Sequence, residues 1–371
     1  ADYYSRGIYI SNENEAPTKK ELDDKANRYY QKALDSFVTM YDDNSDDNLA
    51  YKIGSMCLNG KGVEKNIETA EMWFEEAVEN GNENATYQLA KIYMGAYKDY
   101  SANSPERFEK GLEILKDLSD KKKNQNASYT LGKYYYKEGD IDNAIEFFQR
   151  CDKNSYAFYN LGKIYLTDQH RDIDKAIDFL ASASDLGNDC AMYKLANIYL
   201  DKDNYNWVLA EDLLLKACEH NNMFAEYKLG KMYLSDNEKV AEGEELLRRA
   251  CEQDNSYACY TLGKHYIKTG RQDEGMIYLN KAHSLGNEYA GYAIERILNP
   301  KPIKRKCSRP IQRIRRGRSG RNYHYAAAIG ALNSLYSDYL HHVKQLQAEF
   351  ERDVEQREFE QELYIEYSRG Y

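Results

Sequence analysis

The side chains best placed to do chemistry in this sequence are cations in two arrangements. Lysine recurs at Lys91, Lys133, Lys163, Lys231 and Lys264, each directly after a glycine or alanine and at the same place in a repeated segment. Such a column would set one ammonium per repeat along one side of an array, the electrostatic complement of an acidic peptide. Its competing reading is solvation, with each lysine pairing with nearby Asp or Glu for little net gain. The second arrangement is a run. Residues 300–322 hold ten Lys and Arg and no acid, among them Lys304, Arg305, Lys306, Arg313, Arg315, Arg316 and Arg318. Such a segment attracts phosphates with a steep salt dependence, yet no aromatic residue stands between Lys301 and Arg321 to stack on bases. The whole chain carries −10, which leaves −20 outside this run. The acidic remainder, including the stretch 349–366, is therefore a tethered competitor for the same cations. Nucleic acid, self-docking, and an acidic protein or lipid surface all remain open as partners of the run.

Catalysis finds no comparable candidates. The sequence has no phosphate-binding loop, HExxH, GxSxG or dinucleotide fingerprint. Of seven histidines only His341 and His342 adjoin, and adjacent helical residues point about 100° apart, which does not suit a shared metal. Ser119 and Lys122 match a hydrolase tetrad only as letters in what reads as a polar loop. The acidic stretch 40–48 begins like a calcium loop at Asp42, Asn44 and Asp46, but Asp47 replaces the glycine and Ile53 the closing glutamate, so a solvated loop is expected. Seven cysteines are an odd number without a CxxC pair. Cys218 and Cys251 each follow an alanine, where a small side chain fills a core, so a reduced, cytoplasmic setting fits better than a disulfide framework. No enzyme activity, cofactor or metal is expected, and no apolar run is long enough to span a membrane.

The elements that must position the lysines are repeated. The segment AFYNLGKIYL at 157–166 returns at 127–136, 191–200, 225–234 and 258–267, and more loosely at 49–58 and 85–94. Tyrosine holds its third place every time, at 51, 87, 129, 159, 193, 227 and 260. A second block, small-x-x-apolar-apolar-x-x-small, follows at 70–77, 144–151, 176–183, 210–217, 243–250 and 275–282. Its spacing is helical, and its later starts lie 34, 33 and 32 residues apart, so each unit holds two short helices and little else. Gly60, Gly139 and Gly270 fall between the two helices of a unit, and Gly81, Gly187 and Gly286, each before an Asn, fall after the second; these are helix-ending positions. The expectation is an all-α right-handed superhelical solenoid of about seven to eight two-helix units. A loop insertion is expected at 95–107.

This unit resembles the Sel-like repeat family, a relative of the tetratricopeptide repeat. NGKGV at 59–63, followed by Ala70, Trp73 and Ala77 and then Asn80-Gly81-Asn82, carries the resemblance most clearly. Members are α/α superhelices that act as scaffolds and adaptors, so the resemblance implies a protein or peptide held on the concave face, with exposed Tyr and Lys of the first helices giving specificity. Most units depart from the family by losing the Gly-x-Gly loop, as at 167–171 and 235–240. An alternative is that LGNEYA at 285–290, running into a basic segment and a helical tail, resembles the carboxy-terminal repeats of some mobilisation relaxases of Gram-positive elements, with the linker touching DNA.

Four segments follow from this reading. Residues 1–48 form a degenerate first repeat and acidic loop, 49–298 the repeat array, 299–322 the basic linker, and 323–371 a terminal amphipathic helix. In that last segment Leu332, Leu335, Tyr339, Val343, Leu346, Phe350 and Val354 form a seam suited to a coiled coil or to docking.

Overall fold

In the computed structural model, residues 18–44, 46–97 and 104–299 are described, and every regular element among them except one short 3-10 turn, Lys202–Asn204, is an α-helix. The helices are α1 (Lys19–Asn44), α2 (Asp47–Asn59), α3 (Ile67–Glu79), α4 (Glu83–Tyr93), α5 (Pro105–Lys122), α6 (Gln125–Glu138), α7 (Ile141–Gln149) and α8 (Ser155–Leu166). They continue as α9 (Ile173–Asp185), α10 (Asp189–Tyr199), α11 (Trp207–Glu219), α12 (Met223–Tyr233), α13 (Val240–Glu252), α14 (Ser256–Lys268), α15 (Gln272–Ser284) and α16 (Glu288–Leu298). From α2 onward the even-numbered helices carry the tyrosine segment and the odd-numbered ones the second block, which makes seven helix pairs between the flanking α1 and α16. The architecture is an α/α repeat solenoid. It divides into two compact units, 1–225 and 226–371, the division falling within α12.

Each pair closes because its first helix offers a small residue to its second. At Gly132 an added Cβ would lie 2.6 Å from the Phe148 ring, and at Gly162 2.6 Å from Leu180. In the second unit Gly230 stands in the same way against Leu247, and Gly263 against Leu279. No side chain fits there, so the helices approach until the apolar residues of the second fill the space. The structure also supplies a second helix that block matching does not find. Helix α5 carries Gly111, Ile114 and Leu115 in the expected places, but Leu118 and the buried Ser119 stand where a small closing residue was expected.

Helix starts have one recurring device. An asparagine three residues before the first alanine of the repeat caps α4, α6, α8, α10, α12, α14 and α16, its side-chain oxygen accepting from the backbone amides of Ala85, Ala127, Ala157, Ala191, Ala225, Ala258 and Ala290. Three of these asparagines also donate backwards to an acid in the first turn of an earlier first helix. Asn82 donates to Asp47 at 3.0 Å, Asn124 to Glu83 at 2.8 Å and Asn222 to Asp189 at 2.7 Å. The side chain therefore starts one helix and fixes its register on another. Asn222→Ala is expected to lower the unfolding free energy of the first unit by about 1–2 kcal/mol, read by urea denaturation, because cap and bridge are lost together.

Several expectations are corrected. Residues 40–44 belong to α1, and Asp46 caps α2 by accepting from the Asn48 amide at 2.8 Å, so the acidic loop is far shorter than expected. The 95–107 insertion ends at Ser104, which caps α5. Arg107 is inside that helix, where its guanidinium meets Glu71 at 2.6 Å and lies 4.5 Å from the Tyr93 ring centre. Ser119 and Lys122 lie at the end of α5 and not in a loop; Ser119 is buried, with its Oγ 2.8 Å from Ser128 Oγ. The cysteine reading fails at one pair, Cys251–Cys259, which form a disulfide across the turn between α13 and α14. Their Cα atoms are 4.8 Å apart, within disulfide reach, because the tight turn at Asp254 and Asn255 folds the two Ala-Cys steps against each other. That bond removes the cysteine argument for a reducing compartment. Cys57 and Cys151 are buried thiols, and burial pushes Cys151 up to about 12, which suits core filling and not thiolate chemistry.

Candidate functional site: the first-helix face

The candidate site is a face built from the third and seventh places of the tyrosine segment. Four residues, about one helical turn, separate these places, so the lysine stands above the ring of its own repeat. Lys91 Nζ lies 5.5 Å from the centre of the Tyr87 ring, Lys133 5.5 Å from Tyr129, and Lys163 5.5 Å from Tyr159. In the second unit Lys231 lies 5.9 Å from Tyr227 and Lys264 5.1 Å from Tyr260. These are cation–π distances, and they place each ammonium on an aromatic platform. The column is broken at α10, where Asn197 takes the lysine's place and turns its amide onto the Tyr193 carbonyl at 3.0 Å. There Lys194 instead reaches the Tyr159 ring at 5.8 Å.

The tyrosines are not exposed, contrary to expectation. Tyr129 is 6% and Tyr159 2% accessible, and the others are half-buried. Successive first helices lie side by side and cover the rings. Within the first unit the Tyr87 and Thr130 hydroxyls are 2.9 Å apart, and the Tyr193 ring is 6.1 Å from Phe224. In the second, Tyr227 meets Tyr257 at 6.4 Å and Tyr260 meets Tyr289 at 6.0 Å. The rings are thus the floor that sets lysine height. Spacing alone placed each tyrosine on its helix but could not show what the neighbouring helix laid over it.

Positive charge is crowded on this face at one point. Half-buried Lys228 is held below the ordinary lysine value, first by burial and then by the charge of Lys231 one turn away. An anion against this pair would relieve the repulsion. Among the described residues no group of three or more His, Cys, Asp or Glu is arranged to hold a metal ion, and no helix is long and apolar enough to cross a membrane. The run 300–322, with Lys304, Arg305, Lys306, Arg313, Arg315, Arg316 and Arg318, lies outside the described residues, as do His341, His342 and the seam of 323–371.

Comparison with known proteins agrees with the repeat geometry. The Sel1 repeat model matches residues 18–36, 49–82, 155–188 and 224–255, and a tetratricopeptide repeat model matches 126–156 and 256–285. Sel1 and tetratricopeptide repeats thus recur along the chain, and proteins built from these repeats generally mediate protein–protein interactions. Solved structures share the fold. One is c5321, a protective antigen of uropathogenic Escherichia coli displaying an SLR fold, at TM-score 0.57 and 20% identity over 72% of this chain and 60% of that one. Another is a Sel1 repeat protein from Oxalobacter formigenes, at TM-score 0.53 and 17% identity over 76% of this chain and 83% of that one. The chain thus spans less than two thirds of the antigen. No curated protein matches it. The relaxase alternative gains no support from these matches.

Proposed function

We propose that the chain is a non-catalytic scaffold whose first-helix face holds an acidic segment of a partner protein. The observation that carries this is the lysine set over a tyrosine ring in three successive repeats of the first unit, because a buried aromatic floor positions the ammonium at little cost in side-chain freedom. An extended acidic peptide would offer carboxylates to successive ammoniums. The repulsion between Lys228 and Lys231 favours the same class of ligand.

The test is a triple reversal, Lys91, Lys133 and Lys163 to Glu, with binding of a fluorescent glutamate-rich peptide measured by anisotropy at low and moderate salt. Each exposed charge pair is worth roughly 0.2–1 kcal/mol, and reversal converts attraction into repulsion, so affinity should fall at least about tenfold and lose its salt dependence. Reversal of Lys121, Lys175 and Lys216, which pair with Asp117, Asp172 and Asp212 on second helices, should leave binding unchanged. Equal loss in both triples would reduce the effect to net charge and end the reading.

A further inference from the structure

The outward side of one second helix departs from the others that carry the repeat block. On α11, Val208 is 73% accessible and Leu209 and Leu215 are each 44%. The place of Val208 is taken by Glu68, Asp142, Asp174, Ala241 and Asp273 in the other five helices. The place of Leu209 is taken by Thr69, Asn143, Lys175, Glu242 and Glu274, and that of Leu215 by Glu75, Gln149, Ala181, Arg248 and Asn280. Three places that are charged, polar or alanine elsewhere are thus large and apolar in α11 alone. Exposed Tyr205 stands just ahead of its cap Asn206, and exposed Leu186 follows α9. Met72 on α3 and Ile277 on α15 are exposed as single residues, which is ordinary for a solvated helix, whereas a cluster of this kind marks a surface that meets another molecule.

The charges beside this cluster select the partner. Val208, Asp212, Leu215 and Glu219 follow at steps of four, three and four, one strip along the helix with an acid after each apolar residue. Lys216 pairs with Asp212 at 2.9 Å. It is held above the ordinary lysine value, first by that hydrogen bond and then by the charges of Asp212, Asp185 and Glu219. Three carboxylates thus act on one ammonium, and the face is negative. We propose that it docks an amphipathic helix of a second protein, one that carries Lys or Arg beside its apolar stripe. The strip from 208 to 219 is about 16 Å long, about three turns, which matches the apolar stripe of a helix. A second copy of α11 would bring acid against acid, and an anionic lipid surface would be repelled. The scaffold then holds two partners on separate helices, an acidic segment on the first helices and a cationic helix on α11.

Anisotropy of a fluorescent helical peptide, with leucines at helical spacing and lysines beside them, tests the proposal on the full chain. Val208→Ser/Leu209→Ser/Leu215→Ser should weaken its binding at least about tenfold. These side chains face water, so helical circular dichroism of the serine triple should match the parent. Asp212→Asn/Glu219→Gln should weaken binding at low salt and matter little at high salt. Met72→Ser/Ile277→Ser should bind as the parent does. The glutamate-rich peptide, which reports on the first helices, should bind the serine triple as it binds the parent, so the two faces are read apart. Equal affinity of the leucine–lysine peptide for parent and serine triple would overturn the proposal. So would a dimeric mass of the parent that the serine triple abolishes, which would assign the face to a second copy.

Discussion

Replacing Phe148 with alanine is expected to destabilise the first unit by about 4 kcal/mol, measured by urea denaturation followed by helical circular dichroism. The ring is fully buried, contacts Tyr129 at 5.9 Å and occupies the space left by the missing side chain of Gly132. That arrangement makes the loss large. A cavity beside a residue with a side chain can be partly refilled, whereas Gly132 has nothing to move into the gap. Gly132→Ala alone should also destabilise, because its new methyl would lie 2.6 Å from the ring. In a Phe148→Leu background the same Gly132→Ala change should cost less, since the smaller side chain leaves room. Additive losses in that double variant would show that the two positions do not share one space.

The same pair shows how much of the fold was legible. Small and large residues alternating at fixed places in two blocks imply helices that touch, and Gly60, Gly139 and Gly270 adopt the left-handed conformation that ends the first helix. Helix α5 escaped the pattern because Leu118 takes the place of the closing small residue, and Ser119 is buried next to it against Ser128. The asparagine caps were visible as a residue three places before each alanine. For three of them the helix-ending pattern notes only that Asn follows Gly81, Gly187 or Gly286, and the amides these side chains accept from show that they start the following helix. The disulfide was hidden by similarity: Ala-Cys at 250–251 and at 258–259 each read as core filling, and only the turn between them brings the sulfur atoms together. For the candidate site, the lysine column was legible from spacing, but its tyrosine floor required knowing that the next first helix buries the rings.

A buried charge in the second unit gives the other large effect. Glu226 is fully buried in α12, with its carboxylate 2.5 Å from the Arg249 guanidinium and accepting from Gln253 at 2.8 Å. Burial pushes its carboxyl above the ordinary range, and Arg249 and Gln253 pull it back only in part. The folded state therefore binds this proton more tightly than the unfolded one. Its contribution to stability is greatest below the unfolded carboxyl value and is lost as pH rises through the raised folded value. Arg249→Met removes the main opposing charge and leaves the acid buried with Gln253, so the second unit should lose about 3 kcal/mol at neutral pH. Near pH 4, just below the ordinary glutamate value of about 4.3, the carboxyl is mostly protonated in the unfolded chain and more so in the folded one, so much of that loss should vanish. Glu226→Gln keeps the shape but turns one accepting oxygen into a donating amide, which pairs once the Gln253 amide flips to accept from it. It should therefore rescue much of the Arg249→Met loss while flattening the pH dependence. Denaturation of the four proteins at about pH 4 and pH 7 separates the causes. A loss equal at both pH values, and unrescued by Glu226→Gln, would assign the effect to the packing of the Arg249 stem and not to the charge it faces.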